Sequence, residues 1–406
     1  MSAHDDARAS GPDTPARRPA DRKRQLTDGA AALFLERGYT AVSVADIARA
    51  AGVTAPSVYR HFTDKQALLA AAVLAGVEDL ESCTDRAIAA AAELPEPDAR
   101  RETLIESACA MAVRRPDAVV LWRWNGAFLS DEQNAEVARR TTTILDRWAQ
   151  ALRDGRAQLD HRSARRLALA MLSITGSLTV HKTRISTTRA LTRLNDLVHR
   201  LIALDPACAP PLTAPVLTSP EPLTRRDEIL DAASILFERK GFADVGVDEI
   251  GEAVGISGPS LYRHFSSKTA ILLSIGARSA ARLEAGAMAA HAVSGSAGEL
   301  LSNLVDSYVG ALTSTPDLSV AFTSASATAM RQDEARDLLT AQRQYVGRWS
   351  ALVSQLDPTL PQPEAAVTVH AALSIANDAV RMRGARERPE LPALLAYLMK
   401  GVLGCE

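Results

Sequence analysis

The feature that most constrains this chain is that it repeats itself. Residues 52–62 read Gly-Val-Thr-Ala-Pro-Ser-Val-Tyr-Arg-His-Phe, and residues 255–265 read Gly-Ile-Ser-Gly-Pro-Ser-Leu-Tyr-Arg-His-Phe, with seven of eleven positions identical. The offset is 203 residues, and it also pairs Phe34 with Phe237, Gly38 with Gly241 and Lys65 with Lys268. Farther on, Pro116-Asp117 answers Pro316-Asp317, Arg147-Trp148 answers Arg348-Trp349, and Leu172-Ser173-Ile174 answers Leu373-Ser374-Ile375. The offset drifts by a few residues there, as small loop deletions would make it do. The duplicated unit is therefore a whole protomer of about 190 residues, not a motif. A length of 406 residues agrees, being too great for one ordinary core.

Aromatic residues make up only 4% of the chain, while Ala, Leu and Arg are plentiful, which predicts an all-α fold. Residues 205–222 carry Pro206, Pro210, Pro211, Pro215, Pro220 and Pro222. Such spacing works against both helix and sheet and predicts an extended tether between the halves. Residues 1–20, rich in Pro, Asp and Arg, are expected to form a disordered basic arm. The expected organisation is then a head at 21–66, a helical body at 67–204, the linker at 205–222, a second head at 223–269 and a second body at 270–406.

Within the first repeat, Leu26, Ala30, Leu33 and Phe34 share one face of a helix that should stop at Gly38. Ser43 can cap a short helix carrying Val44, Ile47 and Ala48. Gly52 then permits a tight turn, and Thr54 can cap a further short helix with Pro56 in its first turn. Val58 and Phe62 should point inward, leaving Ala55, Ser57, Arg60 and His61 outside. Two short helices crossing at a glycine turn and braced by a longer one make a helix-turn-helix, and the second repeat predicts another.

The order of helix, turn, recognition helix, Tyr-Arg-His-Phe-x-x-Lys and a long helix opening at that lysine resembles the TetR family of bacterial regulators. It occurs twice, over roughly residues 22–75 and 225–278, as in the tandem, double form found in actinobacteria. The resemblance implies an all-α protein of two TetR-like protomers forming an intramolecular pseudo-dimer, each with a three-helix head and a helical regulatory and dimerisation domain. It implies base contacts from the first turn of each recognition helix, here Thr54, Ala55, Pro56 and Ser57, and Ser257, Gly258, Pro259 and Ser260. Tyr59, His61 and Lys65, with Tyr262, His264 and Lys268, match the family's phosphate-binding positions. Ser43 is a further phosphate contact that the second head, with Gly246 in its place, lacks. No Arg, Asn or Gln stands in either first turn, so readout would lean on small apolar contacts, on Arg60 or Arg263 and on DNA shape.

The heads differ in charge. Residues 20–70 hold seven Lys/Arg and five Asp/Glu, whereas residues 223–273 hold six and eight. Asp248 and Glu252 stand where the first head has Ala45 and Arg49, and Arg22-Lys23-Arg24 opens the first head as a basic run. The first head is thus expected to bind DNA more strongly. The formal net charge of the chain is −2, so any such binding must come from local patches.

The family reading carries further expectations. It predicts a double-stranded DNA operator, repression, and release by a small hydrophobic effector of acyl, lipid or steroid type. Trp122, Trp124, Asn125, Phe128 and Trp148, with Tyr308, Phe322, Tyr345 and Trp349, are the candidate pocket residues. Helices are expected near 65–92, 99–115, 117–129, 131–154, 161–183 and 187–204, with counterparts near 268–292, 298–314, 316–330, 332–354, 362–383 and 390–403. A rival reading is a helical interaction protein with one decayed head, acting as a dimer of chains. Further pairing of whole chains is open in either case. Enzyme chemistry finds no nucleophile elbow, phosphate loop or paired carboxylates. Cys83, Cys109, Cys208 and Cys405 lie far apart without metal spacing, so no cofactor or metal is expected. No apolar run reaches the ~20 residues of a membrane span, and the chain is expected to be cytoplasmic.

Overall fold

The computed structural model describes residues 19–39, 41–114, 128–181, 183–212, 222–242, 244–321, 332–382 and 384–405. Among these the regular structure is helical throughout. The first half holds α1 (Pro19–Arg37), α2 (Val44–Ala50), α3 (Ala55–Tyr59), α4 (Lys65–Ala92), α5 (Pro97–Arg114), α6 (Asp131–Arg153), α7 (His161–Gly176) and α8 (Thr187–Ala203). The second holds α9 (Arg225–Lys240), α10 (Val247–Ala253), α11 (Gly258–Leu261), α12 (Lys268–Val293), α13 (Ala297–Ser314), α14 (Gln332–Leu356), α15 (Gln362–Ala379) and α16 (Leu391–Leu403). Each element of the second half is the counterpart of one in the first.

Four local readings need correction. The helix expected over 161–183 stops at Gly176 and passes into a 3-10 turn, Ser177–Thr179. Thr175 and Thr179 turn their hydroxyls back onto the Leu172 and Gly176 carbonyls, at 3.2 and 2.7 Å, and so compete with continued helix. Its counterpart, expected to run to 383, likewise stops at Ala379. The proline-rich stretch is not free of helix either: Asp205 caps a 3-10 turn, Pro206–Cys208, through a 3.0 Å bond from the Ala207 amide, and Pro206 is buried. A proline in a first helical turn loses no hydrogen bond. The α1 helix also begins at Pro19, inside the stretch expected to be disordered, while residues 1–18 and 213–221 lie outside the described residues.

The halves meet along a four-helix seam. Helix α7 lies along α15, and α8 packs on α15 and α16. Burial on the outer seam helices repeats at an offset of 201 residues: Ala190 with Leu391, Leu194 with Leu395, Leu197 with Leu398, Val198 with Met399, Leu201 with Val402, and Ile202 with Leu403 are all buried. One apolar core runs from the first head through both bodies. The second head closes a separate core around Ile229, Phe237, Ile250, Leu261 and Phe265, reached from the body by Val320.

Candidate nucleic-acid interface

In the first head Ser43 sits in extended backbone and caps α2 in a capping box. Its Oγ accepts the Asp46 amide at 3.1 Å and donates to Asp46 Oδ2 at 2.6 Å, while Asp46 accepts the Ser43 amide at 3.0 Å. These bonds, first the Ser43 hydroxyl and amide and then Arg49, hold the Asp46 carboxyl down at about 2. Gly52 follows at φ 65° and Gly255 at φ 71°, the left-handed geometry that turns α2 into α3 and α10 into α11.

The recognition helices are short and their outward rings are bare. Tyr59 is 56% exposed and Tyr262 55%, while Val58, Phe62, Leu261 and Phe265 are buried. Thr54, Pro56 and Arg60 are exposed, with Ala55, Ser57 and His61 half-buried. In the second head Ser257, Pro259 and Arg263 are exposed, and Ser260 and His264 half-buried. Each head thus presents a phenol, a guanidinium and an imidazole edge along one surface, groups able to meet phosphate oxygens. Thr54, expected to cap α3, makes no side-chain cap bond, whereas Ser257 caps α11 from the Ser260 amide at 3.4 Å.

Gly258 departs from its expected outward place, because it is buried. A Cβ there would stand 1.8 Å from Asp248 Oδ1. The first head has Ala55 opposite Ala45 at these two positions, so a methyl on one helix has been exchanged for a carboxylate on the other. Asp248 and Glu252 themselves are exposed beside the recognition helix.

Both motif lysines turn inward. Lys65 Nζ donates to the Tyr39 carbonyl at 3.0 Å and stands 4.2 Å from the centre of the Tyr39 ring. Lys268 Nζ donates to the Phe242 and Val245 carbonyls at 2.7 and 2.8 Å, over the Phe242 ring. Burial lowers the pKa of each ammonium. They pin the loop between the first two helices of each head, a role that sequence spacing did not reveal because it depends on where that loop folds back. The basic run ahead of each head folds back similarly: Lys23 lies over Phe62, and Arg226 lies 4.0 Å from the Phe265 ring centre and donates to the His264 carbonyl at 2.6 Å.

The heads join their bodies differently. The Tyr39 ring lies tilted over Phe128 with centres 4.5 Å apart, and the Phe128 carbonyl accepts Gln66 Nε2 at 3.3 Å, so this expected pocket residue touches the head. The second head is held by charge. Arg278 binds Asp231 of the head at 2.7 Å and the buried Asp317 of the body at 2.7 and 2.9 Å, and Arg282 adds a 3.0 Å bond to Asp317. Arg386 reaches Glu238, which also accepts Ser319 at 3.0 Å.

The other expected pocket residues fall into two environments. Trp148 is fully buried, with its indole N–H on Thr84 at 3.0 Å. Tyr308, Tyr345 and Trp349 form one buried aromatic cluster with ring centres 5.8–6.4 Å apart. Tyr308 donates to Asn377 at 2.9 Å, whereas among the described residues Tyr345 Oη and Trp349 Nε1 have no hydrogen-bonding group near them beyond each other. Trp122, Trp124, Asn125 and Phe322 lie outside the described residues. A separate groove of about 1070 Å³ runs between α1, α4 and α5, lined by Lys23, Arg24, Glu78, Cys83, Arg86 and Arg114 among others. None of the expected aromatics among the described residues lines it.

The model for bacterial regulatory proteins of the tetR family matches residues 26–72 and again residues 229–275. The chain carries the TetR-family head twice. The activator FasR of Mycolicibacterium smegmatis is 45% identical over 51 residues, 13% of this chain and 23% of that protein. The repressor KstR2 of the same organism is 43% identical over 58 residues, 14% of this chain and 28% of that protein. The regulator BetI of Rhizobium meliloti is 31% identical over 126 residues, 31% of this chain and 59% of that protein. The chain thus spans between about a quarter and three fifths of the length of these curated relatives. Among solved structures, a TetR-family regulator from Bordetella parapertussis 12822 aligns at a TM-score of 0.41 and 21% identity, covering 44% of this chain and 93% of that one. AibR, solved with isovaleryl coenzyme A and operator DNA, aligns at 0.37 and 20% identity, covering 43% and 97%. The two TetR heads stand at the same place in each repeat, and among the described residues no helix is long and apolar enough to cross a membrane.

Proposed function

We propose that this chain is a cytoplasmic, sequence-specific DNA-binding transcription regulator of the repressor type, in which both heads of one polypeptide grip a single two-half-site operator. The observation that carries this reading is the pair of exposed recognition-helix tyrosines, Tyr59 and Tyr262, in heads whose bodies are packed along one seam. A reader of duplex DNA needs two heads held at a spacing of about one helical turn or a multiple of it, and here a single chain supplies both. Tyr59, Arg60 and His61, and Tyr262, Arg263 and His264, would meet phosphates. Thr54, Pro56 and Ser57, and Ser257, Pro259 and Ser260, would face base edges. Lys65 and Lys268 would act mainly by fixing the loops that present them.

The activity proposed is regulatory rather than catalytic. Its small-molecule signal would be hydrophobic and would engage the second body, where Tyr345 Oη and Trp349 Nε1 are buried with no partner beyond each other among the described residues and would offer donors to an oxygen on an acyl or steroid-like ligand. A second reading, one working head per chain, is favoured by the exposed Asp248 and Glu252 of the second head.

A titration and footprint on the DNA upstream of the protein's own coding sequence, with Tyr59→Ala and Tyr262→Ala beside the wild type, tests both readings. Loss at opposite halves of one short footprint supports the two-headed regulator. Loss with Tyr59→Ala alone supports the one-headed reading. No specific binding by the wild type rejects regulation through DNA.

A further inference from the structure

The seam between the halves is chemically lopsided. Arg189, near the start of α8, binds Glu364 of α15 through a 2.7 Å bond. Arg166 of α7 binds Glu390, ahead of α16, at 2.9 Å. Arg193, only 4% exposed, donates to the fully buried Thr368 at 2.8 Å, and Arg200 reaches the Val402 carbonyl at 3.4 Å. In all four contacts the first half gives an arginine and the second half gives the acceptor.

The 201-residue register shows what each alternative pairing would meet. Arg189 and Glu390 are counterparts, as are Arg193 and Leu394, and Thr368 and Leu167. Two first halves packed in the same way would set Arg189 against Arg166 and bury Arg193 against Leu167, replacing the Thr368 acceptor with a methyl and leaving only Asp196 at 3.8 Å. Two second halves would set Glu390 against Glu364. Like charges in contact, and a buried guanidinium that loses its hydrogen-bond acceptor, both oppose association.

We infer that this seam is a heterotypic interface that selects its partner by charge: a first half takes a second half and rejects a copy of itself. The chain's proper partner is then its own other half, and like halves of separate chains do not pair. This holds whether or not the heads read DNA, since it rests on the seam alone.

Full-length Glu364→Arg/Glu390→Arg makes the second half basic, and Arg166→Glu/Arg189→Glu makes the first half acidic. Each double variant places like charges across the seam and is expected to melt roughly 3–8 °C below the wild type, with part of the loss recovered at high salt. The quadruple variant restores opposite charges in reversed polarity and should return to within about 2 °C of the wild type. Separately, Thr368→Leu leaves Arg193 with only Asp196, 3.8 Å away in its own half, and should lower the melting temperature, and Arg193→Leu/Thr368→Leu, which uses the residue type found at the counterpart positions Leu394 and Leu167, should recover it. If the double variants do not fold, a folded quadruple variant is the supporting result. Double variants that melt with the wild type, or a quadruple variant no better than the doubles, overturn the inference.

Discussion

Thr84 and Trp148 form a buried 3.0 Å hydrogen bond that the second half of the chain cannot make. Ala287 is the counterpart of Thr84 and Trp349 that of Trp148, so the second indole N–H lacks the threonine acceptor that the first has. Thr84→Ala should cost about 1–3 kcal/mol, because it strands a buried donor. Ala287→Thr should cost less, or stabilise, by giving Trp349 an acceptor. Thermal melts of the two variants decide this; equal effects of the same sign would count against the asymmetry. If the aromatic cluster takes a ligand, Ala287→Thr should also weaken the ligand's effect on DNA release.

The second head's acidity can be edited with residues that the first head already carries. Asp248→Ala/Glu252→Arg copies Ala45 and Arg49, removing two negative charges and adding one positive charge beside the recognition helix. Under the proposed function, DNA affinity should rise by about tenfold or more at low salt, and the dependence on salt should steepen. A filter-binding salt series reads both. Unchanged affinity would mean that this face of the second head does not approach the DNA. Asp248→Ala also opens room for a methyl at Gly258, so Asp248→Ala/Gly258→Ala should be no less stable than Gly258→Ala alone.

Asp317 holds two arginines while buried in the body, and one of them, Arg278, also grips Asp231 of the second head. Asp317→Ala leaves a partly buried guanidinium without its main partner and should cost about 3–5 kcal/mol. Hydrogen exchange should show faster opening of α9 and α10 than of α1 and α2, since the first head is joined through Tyr39 and Phe128. Uniform protection across both heads would contradict the charged tether.

His181 and His370 stack across the seam with ring centres 4.4 Å apart. Burial, and for His181 the neighbouring His370 as well, lowers their pKa values to about 3 and about 4. In the unfolded chain each would titrate near 6.5, so below that pH the unfolded state binds more protons and stability falls as pH drops. The loss should run from about pH 6.5 to 4, by at most about 1.4 kcal/mol per pH unit for each histidine. His181→Met/His370→Leu, the residues found at the counterpart positions Met382 and Leu169, should flatten melting temperature against pH over that window. A slope that persists would place the acid sensitivity elsewhere.

The repeat, the helices and the paired heads were legible because their signals are local: a capping serine, a turn glycine, an apolar face. Lys65 and Lys268 were not, because their partners are backbone carbonyls 23 or 26 residues away, in a loop whose path the sequence leaves open. Trp148 and Trp349 read alike in sequence and differ in the structure through Thr84 and Ala287, residues more than sixty positions distant. Gly258 read as an outward turn residue, and only the crossing of α10 over α11 shows the carboxylate that occupies its missing side chain. Nothing in the sequence marks Arg193, because its acceptor comes from the other half of the chain.

When two identical subunits pair about a twofold axis, each surface residue has to serve in both directions, and any change is made on both sides at once. Joined in one polypeptide, the faces that carry Arg193 and Leu394 are separate letters in one text and can be altered one at a time. The match between the two faces is then inherited as a unit, and a duplicated copy of the chain could change its own pair of faces without capturing the original.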